Sequence, residues 1–245
     1  NYNSEATVTD DSCVYPEQGY DCGGNINVQV GDEAFGGIVF YVDETGQHGL
    51  VAAMEDLDGT YEWGCYGVDI NGNNSSVSPE LDGIGTGLQN TLEIVSGCSE
   101  TPIASSEALA YESEGYSDWF LPSKDELVEM YYGIGPVSTE GNIGGFNGYE
   151  TYLASTEFNH ETSQVLDFSY GPGVYYGIPY KSNNYRVRVI RAFGNWTMGC
   201  MDETACNYNP DVNMADGSCT YAEEGYDCEG NLLPTTYQVG DLAEG

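Results

Sequence analysis

The sequence predicts an α+β domain held between two small cysteine-rich modules, and three observations predict it. Residues 207–231 realign on residues 1–25 at a constant offset, so that Asn1 matches Asn207, Cys13 matches Cys219, Tyr20 matches Tyr226 and Cys22 matches Cys228. The stretch between the copies carries helical spacing in its first half and strand patterns in its second, an α+β order. Four of the eight cysteines fall within residues 200–228, a segment with too few large apolar groups to hold together without covalent staples. After a three-residue insertion Gln29-Val30-Gly31-Asp32 returns as Gln238-Val239-Gly240-Asp241. The pattern is read as one repeat with overhang from a longer tandem array, whose units each fold alone. Duplication at the end of a complete protein is the alternative. The expected boundaries are a partial module over 1–27, the central domain over 28–194, a linker module over 195–234 and the start of the next repeat over 235–245.

Each element has a local reason. Gly37-Ile38-Val39-Phe40-Tyr41-Val42 reads as a strand, residues 43–49 as a turn, and Leu50–Met54 as the returning strand. Residues 86–96 place Leu88, Leu92 and Val95 at helical spacing and stop at Gly97. Thr101-Pro102 opens a short helix through Leu109, with proline at the first helical position. Ser123 and Glu126 form a capping box, so a helix starts at Lys124 and runs to about Tyr132. Strands are expected over Thr151–Ser155, Gln164–Ser169 and Tyr185–Phe193, separated by loops rich in Gly, Asn and Tyr.

Composition bounds the function. The net charge is −35, with 40 acidic residues against five basic ones, Lys124, Lys181, Arg186, Arg188 and Arg191. Such a surface repels nucleic acid, anionic lipid and sulfated polysaccharide and attracts cations. Twenty-one tyrosines within a 40% apolar composition suffice for a core, which excludes disorder. The cysteines lack CxxC or Cys/His spacing, so disulfides are expected rather than zinc, and with them an extracellular, cell-surface location. No signal peptide or membrane-spanning run is present in the sequence.

The order GGIVFYVD, GLVAA, GIGTGLQNT, SDWFLPSKDEL, YLASTE and RVRVIRAF resembles the C-terminal domain family of the Legionella collagen-like adhesin, which is similar to the Fibrobacter major paralogous domain. The resemblance covers about residues 29–194 and implies a C-type-lectin-like fold, with binding or display at a cell surface rather than a known reaction. GCMDETACNYNPDVNMADGSC resembles short Cys-rich repeats in very large surface proteins of marine Bacteroidota. One departure matters: the collagen-like adhesin is associated with anionic glycosaminoglycans, to which a chain this acidic is unsuited.

Several constellations carry functional readings beside plainer ones. Cys65 and Cys98 are expected as a disulfide tying helix to loop; a catalytic thiol pair, as in lectin-fold formylglycine-generating oxidases, needs a base or metal that nothing adjacent supplies. Cys200, Cys206, Cys219 and Cys228 allow three pairings. Nested pairing clamps the loop between Cys206 and Cys219. Sequential pairing (Cys200–Cys206, Cys219–Cys228) is favoured because Cys13 and Cys22 repeat the spacing of Cys219 and Cys228 and are expected as a disulfide on the same pattern; the alternative is that excision from a longer array separates Cys13 and Cys22 from their partners. Asn209, Asp211, Asn213 and Asp216 alternate oxygen ligands before Gly217, and Asp69, Asn71 and Asn73 do likewise, a spacing that suits Ca²⁺. Asx turns are the plainer account. Tyr149, Tyr170, Tyr175, Tyr176 and Tyr180, with Phe146, Tyr152 and Tyr185 nearby, put aromatic faces on polar loops suited to sugar stacking or protein contact. Packing of those rings onto the core is the alternative. Lys181 reads as the exposed cation among them, and the three arginines as internal partners of carboxylates. His48 and His160 have no nucleophile motif beside them, and no HExxH, GxSxG or phosphate loop occurs, so the expectation is a non-enzyme. The leading expectation is a repeat of a surface adhesin or fibre. Its partners would be neighbouring repeats, a homo-oligomeric filament, and carbohydrate or protein on another surface. A filament repeat with no ligand of its own is the rival, and a sugar- or sulfatase-related enzyme the third reading.

Overall fold

The computed structural model describes residues 15–70, 82–139, 141–169, 175–223 and 225–233. Cys13, Asn71, Asn73, Tyr170 and the expected next repeat over 235–245 lie outside the described residues. The fold class is α+β.

The near-continuous apolar run 37–42 has its explanation in a sheet covered on both faces. β1 (Glu33–Ala34), β2 (Gly37–Val42), β3 (His48–Ala52) and β7 (Ile190–Gly194) form it, antiparallel, in the order β1-β2-β3-β7. Successive side chains alternate between two cores. Ile38, Phe40, Leu50 and Ala52 enter one, with Phe120, Leu127, Met130 and Phe168. Val39, Val51 and Ala53 enter the other, with Trp63, Ile94, Trp119 and Leu121. Each large side chain removed from water this way contributes roughly 1.5–3 kcal/mol. The connecting turn is held by Asp43, whose carboxylate accepts from the amides of Gln47 and His48 and lies 2.9 Å from His48 Nδ1.

Three helices follow the hairpin: α1 (Gly87–Gly97), α2 (Ala104–Ala110) and α3 (Lys124–Gly133). α3 starts where the capping box puts it: Ser123 Oγ accepts from Glu126 N, and Glu126 Oε2 accepts from Ser123 N at 2.7 Å. α1 has the expected span but a different buried face. Gly87, Asn90, Thr91 and Ile94 are buried while Leu92 and Val95 are exposed. The cause is close approach to Glu126, since a Cβ on Gly87 would meet its Oε2 at 2.2 Å. α2 begins two residues after Pro102; Ser106 Oγ accepts from Ile103 N and its hydroxyl donates to Ile103 O.

A second sheet, β4 (Thr151–Glu157), β5 (Ser163–Asp167) and β6 (Tyr175–Gly177), is antiparallel in that order. β6 falls where a loop was expected. The predicted closing strand 185–193 is shortened to β7 because its first half serves other partners: Tyr185 bridges Tyr61, Arg186 bridges Tyr152, and the carbonyls of Val187 and Val189 accept from Leu57 and Ala53.

The repeat noted in the sequence is a repeat of structure. Tyr20, Asp21, Gly24 and Asn27 donate their amides to the carbonyls of Glu17, Asn25, Asp21 and Gly19, at 2.8–3.0 Å. Tyr226, Asp227, Gly230 and Leu233 repeat the pattern onto Glu223, Asn231, Asp227 and Gly225, at 2.8–3.0 Å. Asp21 and Asp227 each cap the amides two and four residues on.

The module's disulfides correct the favoured pairing. They are interleaved, Cys200–Cys219 and Cys206–Cys228, neither sequential nor nested. The loop between them sets this arrangement: Cys206 N donates to Thr220 O, and Asn207 bonds both Ser218 O and Thr220 N, laying 206–207 alongside 218–220. Cys22 is an exposed free thiol rather than the expected disulfide partner. Its counterpart Cys228 bonds Cys206.

Candidate binding surface

Strand register gathers some of the predicted tyrosines and separates others. Thr151, Asp167 and Tyr175 stand opposite one another across β4, β5 and β6, as do Tyr152, Leu166 and Tyr176. Tyr149 lies two residues before β4, at the same end of the sheet as Tyr175. Tyr180 is beyond the other end of β6, bridged to Thr162 and edge-on to Tyr66 at 5.6 Å. All four are open to solvent: Tyr149 is 87% exposed, Tyr175 58%, Tyr176 51% and Tyr180 54%. Phe146 and Tyr152 belong to the core instead, the latter donating to Asp56 Oδ2 at 3.0 Å. Beside Tyr175 and Tyr176 a shallow cleft of about 420 Å³ is lined by Thr151, Val165, Asp167, Ile178 and Tyr185, among others; Tyr149 and Tyr180 lie outside it.

Burial, with the Asp125 and Asp82 carboxylates nearby, pushes Tyr176 above its ordinary range against the pull of Lys124. The exposed rings offer apolar faces with hydroxyls at their edges, a chemistry that suits stacking on sugar rings or packing on protein. Sequence reasoning missed Tyr132, Tyr66 and Ile178, which extend the exposed apolar area; the Tyr131-Tyr132 pair on α3 was the available signal, one ring buried and the next 51% exposed.

Every cation is already engaged. Arg188 Nε meets Asp56 at 2.7 Å and Arg191 Nε meets Asp118 at 2.7 Å, while Arg186 lies 3.6 Å from Glu150. Lys124 pairs with Asp82, and Lys181 with Glu157. Arg188 also stacks over Phe146, and Arg191 over Tyr116. Lys181 was expected exposed and is instead fully buried, 4.2 Å from the Trp63 ring and donating to Val68 O at 2.7 Å. Burial pulls its pKa down against the raising effect of Glu157. A chain with five basic residues, each spent on a carboxylate, presents almost unrelieved negative charge.

The remaining candidates are placed as follows. Cys65 and Cys98 form the expected disulfide, with Cα atoms 5.7 Å apart, and Glu100 accepts from Cys65 N at 2.6 Å. Those three side chains are the group of metal-capable residues found converging among the described residues, and the two sulfurs are bonded to each other. In the proposed calcium loop, Asn209 Oδ1 accepts from Asp211 N, Asp216 Oδ1 from Ser218 N and Asn213 Oδ1 from Thr197 N, all at 2.8–3.0 Å. The first two are Asx-turn bonds that shape the loop, and the third ties it back to Thr197. No helix among the described residues is long and apolar enough to cross a membrane.

No family model matches the chain, and no curated protein matches it, so the resemblance of residues 29–194 stands on the motifs quoted for it. Among solved structures, the chain is similar to a fimbrial protein from Bacteroides ovatus ATCC 8483 at 17% identity and a TM-score of 0.40. That match covers 59% of this chain and 35% of the fimbrial protein, and a likeness this loose carries no argument about fold or role.

Proposed function

We propose that the chain is a repeat unit of an extracellular surface fibre or adhesin, in which C-type-lectin-like domains are carried between disulfide-stapled modules. The observation that carries this reading is the duplicated turn, bond for bond, on either side of one two-layered domain. Three disulfides support an oxidising compartment. The lectin-like reading draws support from β7, which closes the first sheet beside β3 and so returns the domain's end to its beginning.

Attachment is assigned to the tyrosine surface at β6, with neutral sugar or a protein patch as ligand and no catalysis. The rival reading, a filament whose neighbouring copies cover the same rings, predicts a different failure. Replacing Tyr175 and Tyr176 by Ser abolishes attachment to cells or immobilised glycans and leaves assembly unchanged if the surface is adhesive. Loss of assembly in that variant assigns the face to the filament instead. Calcium at 209–216 belongs to the same proposal and is tested below.

A further inference from the structure

The two copies of the turn fold alike but meet different surroundings. The first is docked. Gly19, with φ of +89°, lies so close to Phe35 that a Cβ would come within 2.5 Å of the ring. Tyr20 meets the same ring edge-on at 5.4 Å, and Phe35 in turn stacks on Phe193 at 4.4 Å. Tyr20 and Ile26 pack against the buried core, and the Gln18 side chain donates to Glu33 O. In the second copy the matching positions face water: Tyr226 is 38% exposed and Leu232 76% exposed.

The opposite flank of the second module is fixed to the domain before it. β8 (Met198–Gly199) and β9 (Met214–Ala215) pair in parallel, Met214 is buried in the core, and Ala215 N donates to Gly85 O at 3.0 Å. Trp196 Nε1 donates to Phe193 O at 2.8 Å. The interleaved disulfides tie this flank to the open one, since Cys228 lies two residues past Tyr226 and bonds Cys206, while Cys219 bonds the buried Cys200 next to β8.

We propose that a complete module of this kind is a rigid two-sided joint. One side grips the preceding domain through Met214 and Ala215; the other seats Gly225, Tyr226 and Leu232 on a second domain of the 28–194 type, at the position of Phe35. The inference rests on the tandem-repeat reading. The segment after the second copy carries Glu244 at the position of Phe35 (244 − 209 = 35), so the ring seat is drawn from the first copy, where Gly19 and Tyr20 meet Phe35, and the joint is proposed for a module followed by a domain that has the phenyl ring. The array is then a jointed rod with a set angle between domains rather than beads on a string.

The test joins residues 1–206 directly to a second complete chain, which restores one uninterrupted module between two domains. Peptide mapping is expected to find Cys200 and Cys206 of the first copy bonded to Cys13 and Cys22 of the second. Small-angle scattering is expected to show one fixed domain separation, which Tyr20→Ser in the second copy broadens. Hydrogen exchange supplies a readout without substitution. In the single chain the Leu233 amide should exchange about tenfold or more faster than that of Asn27. At the tandem junction the amide of Asn27 in the second copy should be as slow as that of Asn27 in the single chain. Junction disulfides with a broad separation, or equal exchange at Asn27 and Leu233, would overturn the joint and leave the repeat reading standing. Free thiols at Cys13 and Cys22 in a folded tandem would overturn both.

Discussion

Two buried ionisable groups decide how this chain responds to pH and to substitution. Glu126 is wholly enclosed, and its carboxylate accepts the amides of Ser123 and Gly85 at 2.7 and 2.8 Å. Burial pushes its pKa from 4.5 up to about 7, against the pull of those amides and that of Gly87. A raised folded pKa means that its contribution to stability is complete below pH 4.5 and is lost as pH rises through 7. The loss is about 3 kcal/mol over that window. Urea unfolding of Glu126→Gln should lack this fall in stability between pH 4.5 and 7; an unchanged pH profile would show that the carboxyl is ionised throughout. Glu157 is the second case, because it pairs directly with the buried Lys181, with Asp69 acting from farther off. Glu157→Gln leaves that ammonium unpaired and should cost about 3–5 kcal/mol, read as a lowered midpoint in denaturant. A change under 1 kcal/mol would mean that Lys181 reaches water.

At the scale of elements, what was legible in the sequence was what depends on neighbours along the chain. The capping box at Ser123 and Glu126, the hairpin of β2 and β3 and the span of α1 follow from local pattern, and all three stand in the structure. What long-range contact decides was not legible. The buried face of α1 turns on Glu126, far along the chain, and β6 becomes a strand only because β5 offers it an edge. Lys181 was unreadable for the same reason, since its partner Glu157 and its ring Trp63 come from separate elements. The spacing of Cys13 and Cys22 misdirected the pairing, because it repeats a sequence interval and not a bond. The tyrosines were half legible: their exposure followed from the polar residues around them, whereas the separation of Tyr180 from Tyr149 and Tyr175 follows from register. Calcium at Asn209, Asp211, Asn213 and Asp216 is settled by melting the chain with and without chelator. Binding predicts a midpoint lowered by chelator and a response abolished by Asp211→Ala. Identical midpoints would leave the loop to its Asx turns.

At the scale of the whole molecule, charge and repetition act together. A chain of net charge −35 with every cation paired repels its own copies unless ions screen it. Held in fixed order by covalent continuity, the same repulsion favours an extended arrangement and keeps anionic surfaces away. On the reading proposed above, neutral sugars and protein patches are the ligands compatible with that charge. The proposed array rests on the fold of the duplicated module, and its disulfides report that fold most directly. Peptide mapping of the full chain without reductant should return Cys65–Cys98, Cys200–Cys219 and Cys206–Cys228, with Cys22 open to alkylation. A Cys200–Cys206 or Cys219–Cys228 peptide would contradict it, because sequential bonds would cut the turn at Tyr226 loose from the flank that grips the domain.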